Sequence, residues 1–121
     1  YILTSQFGIP HGQAVGLTMG EVLRYNAGAE TKDLADKRGL EYIKKTMAEL
    51  YLLLGVANAL AAKQKIEKLI KAIGLETKLR KLGVKKGDLG LIIKNVNLER
   101  AGNNPRIISQ KKLKQILETI L

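Results

Sequence analysis

One segment limits what this chain can fold into more than any other. From Gln13 to Tyr25, apolar residues fall on nearly every side of a helix: Ala14, Val15, Leu17, Met19, Val22 and Leu23. Its only charges are Glu21 and Arg24. A helix with no broad polar stripe has to be covered on most sides, so the rest of the chain must wrap it. Gly12, Gly16 and Gly20 recur at every fourth position and share one face. Glycine weakens a helix. The compensation expected at Gly16 and Gly20 is close approach by another helix. Asn26 and Gly28 are read as the end of the segment.

Further helices follow from apolar spacing. Leu40, Ile43, Met47, Leu50, Tyr51 and Leu54 fit helical periodicity, as do Ile66, Leu69, Ile70 and Ile73. Thr31 or Asp33 is expected to cap the first of these, Gly39 to interrupt it and Gly55 to bend it. Asn58 ends a segment or sits within one. Gly74 stops the helix that carries Ile73, and Leu79, Leu82 and Val84 form a short turn-like element closed by Gly83. Asp88 is expected to cap a helix carrying Leu91, Ile92 and Val96. Asn103-Asn104-Pro105-Arg106 has loop composition. Ser109 is expected to cap a last helix bearing Leu113, Ile116, Leu117 and Ile120. Tyr1 to Phe7 is mixed and is broken by Gly8. Beyond those first residues no strand alternation survives, and no fixed-period repeat is found. The fold class is all-α, an irregular helical bundle forming a single domain over residues 1–121. Only 4% of residues are aromatic, so its core is built from Leu, Ile, Val and Ala.

Charge and cysteine usage bound the function. The 121 residues carry a net charge of +10, which invites a nucleic-acid reading. The excess is concentrated between Lys63 and Lys86, where Glu67 and Glu76 are the only acids. Lysine outnumbers arginine there, as on an ordinary solvated helix face, so nucleic acid is not the expected partner. With no cysteine, disulfides and thiolate metal sites are excluded. No apolar run reaches membrane-spanning length, and no signal peptide is visible. A cytoplasmic protein without a membrane partner is expected. The chain opens at Tyr1 instead of Met, an opening expected of a segment of a longer protein.

Chemistry-bearing residues are few. His11 is the only histidine, and no second His, Cys or acidic residue stands at ligand spacing from it. Iron or zinc needs several donors, so this chain alone does not complete a metal site. There is no phosphate-cradling glycine loop. Ser5 and Ser109 lack a histidine partner, so no catalytic residue and no cofactor-binding residue is assigned.

The stretch from Tyr1 to Asn26, with Pro10-His11-Gly12 followed by an apolar helix ending in Tyr25-Asn26, resembles the iron-containing (group III) alcohol dehydrogenase family. Leu79 to Leu89, with Leu82-Gly83-Val84 and Asp88, is similar to that family's L-x-x-L-G-V turn and following helix. Asn104-Pro105-Arg106 and Ser109 match its NPR and helix cap. The three matches stand in family order and together cover most of the chain. The wording around Pro10-His11-Gly12 is similar to the phosphonoacetaldehyde-reductase-like branch.

The resemblance implies the C-terminal helical domain of a two-domain oxidoreductase of the dehydroquinate synthase-like superfamily. Its partner would be its own N-terminal domain, which binds NAD or NADP, and its substrate a small alcohol or aldehyde. A divalent metal, Fe2+ or Zn2+, would sit between the domains on one aspartate and three histidines. His11 matches the last of these histidines, and the other donors would precede Tyr1. The chain by itself is then expected to be inactive. A further active-site histidine of the family aligns with Tyr1, a departure from the family pattern. Gly12 would leave space beside the ligand and Pro10 would stiffen its approach. Gln13 and Phe7 are further cleft candidates on which the sequence does not decide, and Asn104, Pro105 and Arg106 are read as a structural loop lock. A homo-oligomer is compatible with the family. The rivals are a glycerol-dehydrogenase-like or dehydroquinate-synthase-like enzyme, a stand-alone basic helical module that binds nucleic acid or an acidic partner, and a purely structural scaffold.

Overall fold

The computed structural model describes residues 1–96 and 102–121. Among the described residues it is all-helical. The helices are α1 (Ile2–Phe7), α2 (His11–Ala27), α3 (Leu40–Leu54), α4 (Ala59–Ala72), α5 (Leu89–Asn95) and α6 (Gln110–Thr119). Short 3-10 turns cover Thr31–Asp33, Leu79–Leu82 and Lys86–Asp88. Leu34 and Arg106 form an isolated antiparallel bridge. No described helix is long and apolar enough to cross a membrane.

The apolar segment is the hub. α2 packs most extensively on α4 and also touches α1, α3 and α6. Two glycines set the α2–α4 separation. A Cβ on Gly20 would lie 3.1 Å from Lys63 Cγ and 3.4 Å from the Lys63 carbonyl oxygen. One on Gly16 would meet Ile70 Cδ1 at 3.4 Å. Beside this contact the Glu21 carboxylate pairs with Lys63 Nζ, with side chains only 9% and 13% exposed. Burying a lone charge is costly, but here each charge covers the other. Lys63 also lies 3.7 Å from Glu67. Farther along, Gln13 clamps the loop after α4: its Nε2 donates to the Glu76 carbonyl at 2.6 Å, and the Glu76 N–H donates to its Oε1 at 3.0 Å.

The main core lies on another side of α2. Leu3 and Ile9 meet Ala14 and Leu17, Leu79 and Val84 of the turn region, Leu89 and Ile92 of α5, and Leu117 and Ile120 at the α6 end. Each fully covered aliphatic side chain contributes about 1.5–3 kcal/mol relative to exposure. The Leu79 N–H donates to the Ile120 carbonyl at 2.9 Å, which ties the chain's last turn to this layer.

Local signals were resolved as follows. Asn58 caps α4 through the Ala61 N–H, and Ser109 caps α6 through the Lys112 N–H. Gly55 ends α3 in the left-handed conformation and does not bend it. Gly39, at φ 91°, is the N-cap of α3 and does not interrupt it. Neither Thr31 nor Asp33 caps α3. The Asp33 carboxylate accepts from the Glu30 N–H and closes its own short turn. Asp88 likewise accepts from the Lys85 N–H at 2.7 Å and makes no side-chain cap to α5, which stops one residue short of Val96. Tyr1–Phe7, mixed by composition, yields α1 because Leu3 and Phe7 fall one helical turn apart on the core.

Gly20→Val should cost about 1–3 kcal/mol by pushing α4 away from α2, read by urea denaturation. Gly12→Ala, with nothing within 4 Å of its added Cβ, should stay within about 0.5 kcal/mol of the parent. Equal stability of the Gly20 variant and the parent would contradict the close-approach account.

Candidate metal centre and the groove beside it

His11 stands where three local features put it. Gly8, at φ 65°, ends α1 in the left-handed conformation. Ile9 is 3% exposed and plugs the core, while its N–H donates to the Leu3 carbonyl at 3.1 Å. Pro10, at φ −52° and ψ 141°, is the N-cap of α2, and its carbonyl accepts from the Ala14 N–H. Proline's fixed φ and the buried Ile9 leave the corner little freedom. His11 is therefore the first residue of a long, packed helix, and it is exposed. Among the described residues, no group of three or more His, Cys, Asp or Glu side chains could hold a metal ion. An imidazole nitrogen suits iron or zinc, but among the described residues His11 has no companion donors for such an ion.

The face of α2 that starts at His11 continues through Val15, Thr18 and Val22, spaced as one helical stripe. These last three line a groove of about 500 Å³ between α2 and α3, together with Met19, Tyr42, Met47 and Leu50. At its far end Arg38 grips Asp36, with Nε and Nη2 donating to the carboxylate at 2.9 and 2.7 Å. The same guanidinium donates to the Tyr42 hydroxyl at 2.8 Å and lies 4.0 Å from its ring centroid. The Arg38 side chain, followed by its backbone N–H, lowers the Asp36 pKa to about 2.

The C-terminal end of α2 is held by Asn104-Pro105-Arg106. Asn26 and Asn104 exchange amide hydrogen bonds at 2.8 and 2.7 Å. Arg106 Nε donates to Asp33 at 2.7 Å, Nη1 donates to the Tyr25 carbonyl at 2.7 Å, and the guanidinium stacks 4.3 Å from the Tyr25 ring centroid. The Tyr25 hydroxyl donates to the Ile107 carbonyl at 2.5 Å. The Ala35 N–H donates to the Pro105 carbonyl at 2.9 Å. Burial pushes the Asp33 carboxyl up, but the Glu30 N–H and Arg106 outweigh it and its pKa is lowered. Burial raises the Tyr25 phenol despite Arg106 nearby. The loop-lock reading of these residues holds. Of the two residues on which the sequence did not decide, Gln13 is buried against Glu76 and Phe7 packs against the core within this chain. Sequence reasoning missed Asp33 and Asp36 as the partners of Arg106 and Arg38. The first pair is 73 positions apart and carries no local signal.

Arg106→Ala should cost about 2–3 kcal/mol, because it strands the Asp33 carboxylate and frees the end of α2. His11→Ala should change chain stability by less than about 0.5 kcal/mol, since the ring is exposed. Both are read by urea denaturation. Asp33 and Asp36 have depressed folded pKa values, so their stabilisation is complete above roughly pH 4 and is lost as pH falls through the folded values. For Asp36 that decline extends to about 2. A urea midpoint that rises between pH 4.5 and about 2.5 would contradict this sign.

Comparisons with known proteins identify the family. A family model described as Fe-containing alcohol dehydrogenase family, C-terminal, matches residues 1–121. A phosphonoacetaldehyde reductase from Streptomyces viridochromogenes is 35% identical over 117 residues, which cover 97% of this chain and 29% of that protein. The chain thus spans under a third of the length of this curated relative. No solved structure gives a significant match. Family order of the motifs, an exposed histidine opening the buried helix, and a profile match over the full length lead to one conclusion: the chain belongs to the iron-containing alcohol dehydrogenase family and corresponds to its C-terminal, all-helical part.

Proposed function

We propose that this chain is the helical domain, residues 1–121, of a metal-dependent NAD(P)-linked alcohol dehydrogenase or aldehyde reductase, and that His11 supplies one imidazole to its divalent metal, Fe2+ or Zn2+. The observation that carries the proposal is the place of His11. It is the lone histidine, it lies in the family's Pro-His-Gly wording, and it is exposed at the rigid start of α2. A second domain N-terminal to Tyr1 would bind NAD or NADP and bring the remaining donors. The relative's name supports an aldehyde as substrate and reduction as the direction.

In this reading each part of the chain has a mechanical task. Ile9 and Pro10 fix the direction from which the ring approaches the metal. Helix α2, pinned by α4 along its length and by Arg106 at its end, holds the donor against displacement. Preorganised ligands on packed elements keep a site within the tolerance that catalysis needs. When bound, the metal supplies Lewis-acid polarisation of the carbonyl oxygen and the nicotinamide supplies hydride.

In the full-length enzyme, His11→Ala should lower metal affinity by more than the roughly 10–100-fold cost of losing a hydrogen bond to a ligand. Aldehyde reduction with NAD(P)H should fall with it. Unchanged metal content, by elemental analysis, together with an unchanged rate would reject the assignment.

A further inference from the structure

We infer that the groove between α2 and α3 is an intramolecular docking surface for the polypeptide that precedes Tyr1 in the full-length enzyme. The identity of the occupant rests on the proposed role of His11; the groove itself does not.

The α2 wall of the groove is uncharged in a highly charged molecule, and the two charges on the opposite side, Asp36 and Arg38, pair with each other. Charged residues make up 26% of the chain, with a net charge of +10. Yet the stripe His11, Val15, Thr18, Val22, with Met19 beside it, carries none of those charges. On α6, by contrast, Lys111, Lys112 and Lys114 stand exposed. Val15, Met19 and Tyr42 are 44%, 47% and 41% exposed at the groove. An apolar patch of this kind, set among polar surface, marks an interaction site.

A small-molecule occupant is disfavoured by the polar groups that are present. Binding sites for small molecules offer a few convergent polar groups that orient the ligand. Here Asp36 and Arg38 bond each other, and Arg38 also holds the Tyr42 hydroxyl. Thr18 and Thr46 donate to backbone carbonyls of their own helices, and Asn26 is paired with Asn104. With these groups already satisfied, the surface offers shape and apolar contact, which suits packed side chains.

A second copy of this chain fits less well. The α2 stripe that lines the groove from Val15 onward begins one helical turn earlier at His11, whose proposed metal requires further donors. A second copy would bring only another His11, because the described residues contain no donor cluster. The relative extends well beyond the aligned region, and the matching family model is a C-terminal one. The missing donors and the missing cover are therefore both expected from the N-terminal side, and one segment can bring both.

These 121 residues contain no cysteine, so the full-length enzyme, with any cysteine outside them replaced by serine, allows a direct test. Met19→Cys and, as a charged-face control, Lys111→Cys are labelled with a water-soluble disulfide reagent. The Met19→Cys thiol should react at least about tenfold more slowly than the control, because reaction must await local opening. Equal rates would overturn the proposal. Slow labelling that becomes fast on dilution to monomer would also overturn it, by assigning the groove to a second copy. Should the variant fail to fold, peroxide oxidation of native Met19 in the unaltered enzyme gives the same reading. Protection matching that of Met47, buried in this chain, supports the proposal, and far faster oxidation of Met19 overturns it. Metal content of the same samples separates the two claims. A full metal complement with an unprotected Met19 sinks the docking surface alone, and a protected Met19 without metal sinks the role of His11 alone.

Discussion

The close contact of α2 with α4 is the interaction on which the rest depends. A side chain at Gly20 would press on Lys63, so the two helices meet at a distance where any added Cβ is tight and glycine fits without displacement. That distance lets Glu21 reach Lys63 and leaves both charges covered. It also brings the end of α4 close enough for Gln13 to take both backbone groups of Glu76. Dispersion and apolar burial along this seam stabilise the bundle, while the polar contacts fix its register. Once α2 is fixed, its N-terminal residue is fixed too, and that residue is His11.

The two ends of α2 are secured by different physics. At the start, a left-handed glycine, a buried isoleucine and a proline make a corner with few alternatives. At the other end the hold is electrostatic and long-range in sequence: Arg106 ties the Tyr25 carbonyl to Asp33, and Asn26 is paired with Asn104. An exposed imidazole at the start of a well-held helix is the arrangement that the proposed metal role of His11 requires, with its partners arriving on another element. The bare α2 face beside it fits the same account.

The helical class, the central place of α2, the glycine seam and the cap at Ser109 were legible in the sequence, because each rests on local spacing or on one residue's chemistry. Asn58, read as ending a segment or sitting within one, instead starts α4 as its cap. The cover expected on most sides of α2 is incomplete, since Val15 and Met19 stay 44% and 47% exposed. Asp33 does not cap α3, and Asp88 stands at the N-cap position of α5 without a side-chain cap bond, for a common reason. Each carboxylate found a nearer backbone N–H, three residues back, and closed a 3-10 turn. Gly39 and Gly55 were recognised as breaks, but whether a glycine bends or bounds a helix depends on φ, which composition does not encode. Helix α1 was hidden because its apolar residues count only once Leu79, Leu89 and Ile92 are there to receive them. His11 was singled out by its motif alone, and its donor role is a proposal that rests on that motif; the Arg106 partners, distant in sequence, were not legible.

The central claim is that this chain presents one donor of a metal site completed elsewhere. Calorimetric titration of Zn2+ into the 121-residue chain and into the full-length enzyme, both metal-free, tests it most directly. The account predicts stoichiometric, tight binding by the full-length enzyme and none by the chain alone, since a single imidazole cannot replace a four-donor shell. Tight binding by the chain alone, or its absence in the full-length enzyme, would contradict it.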